Sequence, residues 1–206
     1  MTVIVDYGVG NLFSLSSSLA AIGEESVVTS DASIIESADR VILPGVGAFR
    51  DAMDKLRASG LVESLRRVAA KGVPLLGICL GMQLLFDRSF EYGEHEGLGF
   101  IKGEVAPIPA LEGLKIPHMG WNALLFSQKK HSLFADLEEG DHVYFVHSFA
   151  AVHCDDAVIA RTEYGTLVTA AVAKGNVLGC QFHPEKSGEV GLRILRAFCR
   201  MKEGEL

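Results

Sequence analysis

No apolar run in this 206-residue chain is long enough to cross a bilayer. The longest, Val73 to Phe86, already carries Gln83 and falls short of the ~20 residues that a spanning helix needs. The amino terminus, MTVIVDYG, lacks a basic leading segment and places Asp6 inside its apolar stretch, so it does not read as a secretory signal. Cysteine is scarce: four residues, at 79, 154, 180 and 199, lie far apart with no Cys-x-x-Cys pair. That excludes a disulfide framework and makes a reducing cytoplasm the expected location. No His or Cys spacing matches a zinc site, and no Gly-Lys pair occurs from which a P-loop could be built. Positive charge is in deficit as well. Lys and Arg total 19 against 26 Asp and Glu, a net charge of -7. A nucleic-acid partner would need a clustered basic surface instead.

What is present suits a packed domain. Hydrophobic residues make up 49% and charged residues 22%, near the average for soluble globular proteins. The length allows one domain over residues 1–206 with a full core. The first half alternates short β-branched runs with helical patterns. Thr2–Asp6 reads as a buried strand. Asn11 is a helix N-cap ahead of Leu12, Leu15, Leu19 and Ile22 at helical spacing, with Gly23 as the stop. Ser26–Thr29 and Arg40–Leu43 follow as strands, then a helical stretch over roughly 48–71, broken near Ser59–Gly60. Val73–Ile78 is too apolar to have a wet face, as in the middle of a parallel sheet covered by helices. The second half is richer in strands: Gly99–Ile108, Trp121–Phe126, His142–Ala150 and Ala157–Tyr164. Leu167–Ala173 and Val177–Phe182 flank a turn at Lys174-Gly175-Asn176, and helical periodicity returns at about Gly188–Met201. The expectation is a single α/β domain, its central sheet mixed but largely parallel and flanked by helices.

Chemistry concentrates in Val73-Pro74-Leu75-Leu76-Gly77-Ile78-Cys79-Leu80-Gly81-Met82-Gln83. A buried strand runs into Gly-x-Cys-x-Gly and then an apolar helix start, which is the nucleophile-elbow pattern with cysteine in place of serine. The sharp turn crowds the backbone on both sides and requires glycine at 77 and 81. It lifts Cys79 above the sheet edge to a helix N-terminus, which favours thiolate, and turns the Leu80 amide toward a developing oxyanion. Alone, a free cysteine reads as a small buried hydrophobe, so the assignment needs a base.

His183 supplies one. It ends the strand Val177–Phe182 in the string Gln181-Phe182-His183-Pro184-Glu185. Pro184 biases His183 toward an extended backbone, and in an extended chain residues i and i+2 share a side. Glu185 can therefore reach the imidazole, fix its tautomer and stabilise its charged form. Out of context the same string would read as a surface turn. His118, His147 and His153 lack a carboxylate two residues on, and His95, between two glutamates, reads as a solvated loop residue.

With Gly-Ile-Cys-Leu-Gly-Met-Gln and Gln-Phe-His-Pro-Glu both present, the chain resembles the class I (triad) glutamine amidotransferases over essentially its whole length. Four further strings narrow the resemblance to the glutaminase subunits of imidazole glycerol phosphate synthase, from histidine biosynthesis: Asp6-Tyr7-Gly8-Val9-Gly10-Asn11-Leu12, Pro44-Gly45-Val46-Gly47-Ala48-Phe49, Pro117-His118-Met119-Gly120-Trp121-Asn122 and His183-Pro184-Glu185-Lys186-Ser187. The resemblance implies a flavodoxin-like fold and a Cys79–His183–Glu185 triad that releases ammonia from glutamine with no cofactor. It implies a second oxyanion donor at the Val46 amide. Gln83 and Glu91 would hold the amino-acid end of glutamine, Glu91 by its ammonium, and Gly47, His147, Ser148 and Phe149 would line the substrate slot. Phe149 stands where tyrosine is expected in relatives. The implied partner is the cyclase subunit, as a heterodimer, with Asn11, Trp121 and Lys186 expected at the interface.

Other readings stay open on sequence grounds. A glutaminase subunit of another amidotransferase, a gamma-glutamyl hydrolase or a cysteine peptidase would use the same triad. Gly8-Val9-Gly10, after a strand and with Asp31 about 20 residues on, has the start of a dinucleotide fingerprint. Its third glycine is replaced by Phe13, a ring expected to block close helix–strand packing.

Overall fold

The computed structural model describes residues 1–127, 129–202 and 204. The first half runs β1 (Thr2–Val5), α1 (Leu12–Ala21), β2 (Ser26–Thr29), α2 (Ala32–Glu36), β3 (Arg40–Leu43), α3 (Phe49–Ala58), α4 (Val62–Ala70), β4 (Leu75–Ile78) and the single turn α5 (Leu80–Gln83). The second half runs β5 (Phe86–Ser89), β6 (His95–Glu96), β7 (Ile101–Pro107), β8 (His118–Ala123), β9 (Leu125–Phe126), β10 (His142–His147), β11 (Phe149–Val152), β12 (Val158–Tyr164), β13 (Thr166–Lys174), β14 (Val177–Cys180) and α6 (Gly188–Cys199).

Eight strands form the main sheet in the order β2-β1-β3-β4-β14-β13-β12-β9. The pairings from β2 to β14 are parallel and those from β14 to β9 antiparallel. Every residue of β1, β4 and β14 is buried, because helices cover both faces. The two-residue alternation of strand side chains divides the core in two. Val3, Val5, Val41, Leu43 and Leu75 face α2, α3 and α4 through Ile35, Leu56 and Leu65. Ile4, Ile42, Leu76 and Leu178 face α1 and α6 through Leu15, Leu19, Ile194 and Phe198.

Local signals behave as the sequence indicates. The Asn11 side chain caps α1 by accepting from Ser14 N–H at 3.3 Å, and Gly60 at φ +74° separates α3 from α4. Three expectations change. His142–Ala150 is two strands, parted at Ser148: β10 pairs with β8 in a two-stranded sheet, while β11 joins the four-stranded sheet β11-β7-β5-β6. Trp121–Phe126 likewise splits, with β8 and β9 in different sheets. The helix after Cys79 lasts one turn, and the chain then enters β5, which pairs in parallel with β7.

The site lies where three strands of the main sheet end. Pro44–Gly47 leaves β3, Cys79 leaves β4, and Gln181–Glu185 leaves β14. Open parallel sheets bind ligands beyond the carboxyl ends of their strands.

Candidate active site

Cys79 has φ +55° and ψ -112°, a conformation that costs a non-glycine residue about 1–3 kcal/mol. Its N–H donates to Cys180 O at 2.7 Å, which ties the elbow to β14. Glycines permit the surrounding crossing. A methyl on Gly81 would lie 1.9 Å from Leu43 O, and one on Gly77 would lie 2.6 Å from Gly81 O. Gly45 is equally confined, at 2.8 Å from Gly81 N. Three backbone segments thus touch with no space for a side chain, and the Pro44–Gly47 loop is held directly over the elbow.

His183 is 2% exposed. Its backbone is extended at φ -101° and ψ 98°, and its Nδ1 meets Glu185 Oε1 at 2.7 Å. The other ring nitrogen is left for Cys79. Ser187 Oγ donates to His183 O at 2.6 Å and accepts from Tyr144 N–H at 3.0 Å, which fixes the backbone that carries the ring. Burial by itself would lower the basicity of His183. Interaction with Cys79 and hydrogen bonding to Glu185 overcome that and push its pKa up to about 9. His147, in the same cleft, goes the other way. Burial depresses it to about 4, against a hydrogen bond to Phe149 O and with some repulsion from His118 and His183. The two histidines that line the cleft with Cys79 are thus shifted in opposite directions, His183 toward greater basicity and His147 toward less.

A cleft of about 320 Å³ opens beside Cys79. It is lined by Val46, Gly47, Leu80, Gln83, Glu91, His147, Ser148, Phe149 and His183, so the expected slot residues do come together. Glu185 stands behind His183. Glu91 Oε2 accepts from Phe49 N–H at 2.6 Å, anchoring the cleft wall to the start of α3. Gln83 Nε2 donates to Phe149 O at 3.1 Å and to Gln181 Oε1 at 3.0 Å. The His147 side chain is turned into the protein: Nδ1 meets Phe149 O at 2.8 Å and Nε2 meets His118 Nδ1 at 2.9 Å.

Several neighbours were given no role by the sequence, although Tyr7, Pro117 and Gln181 stand in the strings that carry the resemblance. Tyr92, Pro117 and Val146 also line the cleft. Tyr7 OH donates to Pro44 O at 2.8 Å. Burial foremost, and Cys79 next, push the Tyr7 pKa up, so it remains a neutral donor that braces the Pro44–Gly47 loop. Gln181 is fully buried with its Nε2 3.8 Å from Cys79 Sγ. The remaining cysteines are also buried; burial is the main reason that the thiols of Cys154 and Cys180 shift upward and that of Cys199 reaches about 11.

Asn11 and Lys186 are exposed, and Trp121 is 54% exposed with its ring edge-on to Tyr144. Phe13 projects outward at 83% exposure, so its ring does not obstruct helix–strand packing as the sequence suggested. Gly10 nearby has another use: a methyl there would press on Pro44 Cβ at 3.0 Å.

Comparison with known proteins agrees with this arrangement. The model of the family "Glutamine amidotransferase class-I" matches residues 3–201. The imidazole glycerol phosphate synthase subunit HisH of Lactococcus lactis is 50% identical over 197 residues, covering 95% of this chain and 96% of the relative. That of Aquifex aeolicus is 50% identical over 204 residues, covering 98% and 97%. Among solved structures, a chain of PurLQS from Thermotoga maritima superposes with a TM-score of 0.74 at 22% identity, covering 96% of each chain. A crystal structure of a glutamine amidotransferase gives 0.74 at 23% identity, covering 95% and 96%. With its elbow, its histidine–carboxylate pair and a family match over nearly the full length, the chain belongs to the class I glutamine amidotransferases, with HisH subunits among its relatives.

Proposed function

We propose that Cys79, His183 and Glu185 hydrolyse the side-chain amide of L-glutamine to glutamate and ammonia, with the whole of residues 1–206 acting as one glutaminase domain. The observation that carries this is the cleft itself. Of four cysteines, Cys79 alone shares it with a histidine whose far nitrogen is held by a buried carboxylate. The free nitrogen of His183 takes the thiol proton, and Sγ attacks the amide carbon. The oxyanion rests on the amides of Leu80 and Val46, each such donor contributing about 3 kcal/mol to the barrier reduction. His183 returns the proton to the departing nitrogen, ammonia leaves, and a water activated by the same ring hydrolyses the thioester. Glu185 keeps the imidazole in the required tautomer.

Gln83 and Glu91 hold the amino-acid end. Both Nε2 hydrogens of Gln83 are taken by Phe149 O and Gln181 Oε1, so its carbonyl oxygen is what it offers a ligand. That oxygen and the Glu91 carboxylate both suit an ammonium group. Gly47, Ser148 and Phe149 contribute walls and backbone, and His147 supports Phe149 from behind. No step calls for a metal or cofactor.

Ammonia released into neutral water becomes ammonium, a poor nucleophile, so a partner has to take it directly. The relatives are named as subunits of imidazole glycerol phosphate synthase. We assign this chain the glutaminase role, with the cyclase subunit as its heterodimer partner in the cytoplasm, and neither nucleic acid nor membrane involved. Among the described residues no helix is long and apolar enough to cross a membrane. Asn11, Trp121 and Lys186 are placed at the contact. The test is glutamine-dependent ammonia release by the purified chain with and without the cyclase subunit. Release that survives Cys79→Ala would overturn the reading.

A further inference from the structure

α5 is one turn long, so little helix dipole is available to a charged sulfur at its start. Cys79 is also 7% exposed, and water can do only part of the work of stabilising a thiolate. Two polar groups other than His183 lie near Sγ: Val146 O at 4.0 Å and Gln181 Nε2 at 3.8 Å. The carbonyl can accept from a thiol and repels a thiolate. The amide does the opposite.

The direction in which Gln181 points is dictated by two neighbours in the cleft wall, Phe149 and Gln83. Phe149 O is a backbone carbonyl and can only accept. Gln83 must therefore turn its Nε2 toward it, at 3.1 Å, and the second Nε2 hydrogen then reaches Gln181 Oε1 at 3.0 Å. With its oxygen so committed, Gln181 presents its own Nε2 to Cys79. Turning Gln181 over would set two amino groups against each other and aim a carbonyl oxygen at the sulfur. Gln181 is fully buried.

We propose that Gln181 is the donor that holds the Cys79 thiolate, oriented by a relay from Phe149 O through Gln83. The proposal rests on Cys79 being the nucleophile of the glutaminase reaction. No proton passes through Gln181. When His183 takes the thiol proton, the S–H contact to Val146 O ends and the Gln181 N–H contact becomes charge-assisted. When Sγ bonds to the amide carbon its charge is gone and the contact weakens. Gln181 thus favours the ionised nucleophile over both the thiol and the thioester.

The test follows alkylation of Cys79 by iodoacetamide across pH in the full chain, located by mass spectrometry, in wild type, Gln181→Met and Gln181→Glu. Gln181→Met should move the alkylation midpoint up by about one pH unit, the ordinary size for one charge-assisted hydrogen bond. Gln181→Glu keeps the shape and the acceptor for Gln83 but sets an oxygen against the sulfur. It should move the midpoint further while lowering kcat for glutamine about tenfold or more with KM held. A third measurement needs no change at 181: the Gln181 side-chain amide resonances of the wild type should shift as Cys79 ionises, and stay fixed in Cys79→Ser. Midpoints unchanged in folded variants, or amide resonances that ignore Cys79 ionisation, overturn the proposal. These readouts are independent of glutamine turnover. A chain that shows them without releasing ammonia would lose the proposed reaction and keep the role of Gln181.

Discussion

Holding Cys79 at φ +55° costs free energy that has to be offset by its surroundings, and the bond from Cys79 N–H to Cys180 O at 2.7 Å is part of that offset. The strain secures the sulfur's position in the cleft, which the buried thiols of Cys154, Cys180 and Cys199 lack. A glutamine-like electrophile such as diazo-oxo-norleucine should therefore label Cys79 alone. Cys79→Ala should abolish ammonia release while alanine at 154, 180 or 199 leaves it in place; an adduct on another cysteine, with Cys79 untouched, would reassign the nucleophile. The base and its orienter should differ in cost. His183→Ala removes both proton transfers and should lose about 10²–10⁴-fold or more in turnover. Glu185→Gln should be milder, since an amide still holds the ring without stabilising its charge; steady-state kinetics that rank the two equally would count against the orienting role. These three residues are legible because glycine spacing and a His-Pro-Glu string are local patterns. Tyr7 and Gln181 are not. Their partners, Pro44 and Cys79, lie 37 and 102 positions away, and no short pattern encodes a contact made only by folding.

Strand alternation decides which helices each strand meets, and that is testable at one position. Leu76 is fully buried on the α1 and α6 side. Leu76→Ala should cost about 2–5 kcal/mol in urea unfolding, as truncations in a close-packed core do. Phe13→Ala, at a position 83% exposed on the adjoining helix, should stay within about 0.5 kcal/mol. Equal losses would mean that the two faces are wrongly assigned. In the parallel half, β3 and β4 were readable because their apolar runs abut Pro44-Gly45 and Pro74, which leaves few alternatives. The short elements were not. α2 has five residues and β6 two, too few for a period to declare itself. β5, with Asp87 and Arg88 in its middle, has a composition that says little about pairing. The division at Ser148 is a matter of which sheet each strand joins. The apolar residues on either side of it look alike in sequence, so a continuous strand was the simpler expectation.

At the scale of the molecule, apolar side chains remain uncovered around the cleft: Val46 at its edge, 44% exposed, and Tyr92, which lines it, 88% exposed. On β8, Met119 is 60% and Trp121 54% exposed. On the proposed chemistry, ammonia made beside Cys79 has to leave through surroundings that exclude water to stay unprotonated, so a partner that consumes it gains from sealing this face. Aromatic anchors carry a large share of interface energy. Trp121→Ala should therefore weaken association with the cyclase subunit by about 1–3 kcal/mol while leaving thermal unfolding of the free chain nearly unchanged, because the ring is only edge-on to Tyr144. Lys186 should behave differently. It directly follows Glu185, is exposed, and has no carboxylate partner among the described residues. A charge pair at a rim contributes little affinity and sets register. Lys186→Ala should bind the cyclase subunit almost as tightly as wild type but release ammonia out of step with cyclase turnover. Titrating the partner while following both complex formation and ammonia release separates the two effects. A wild-type chain whose glutaminase rate is already complete alone, and unmoved by saturating partner, would show that docking does not bear on the triad.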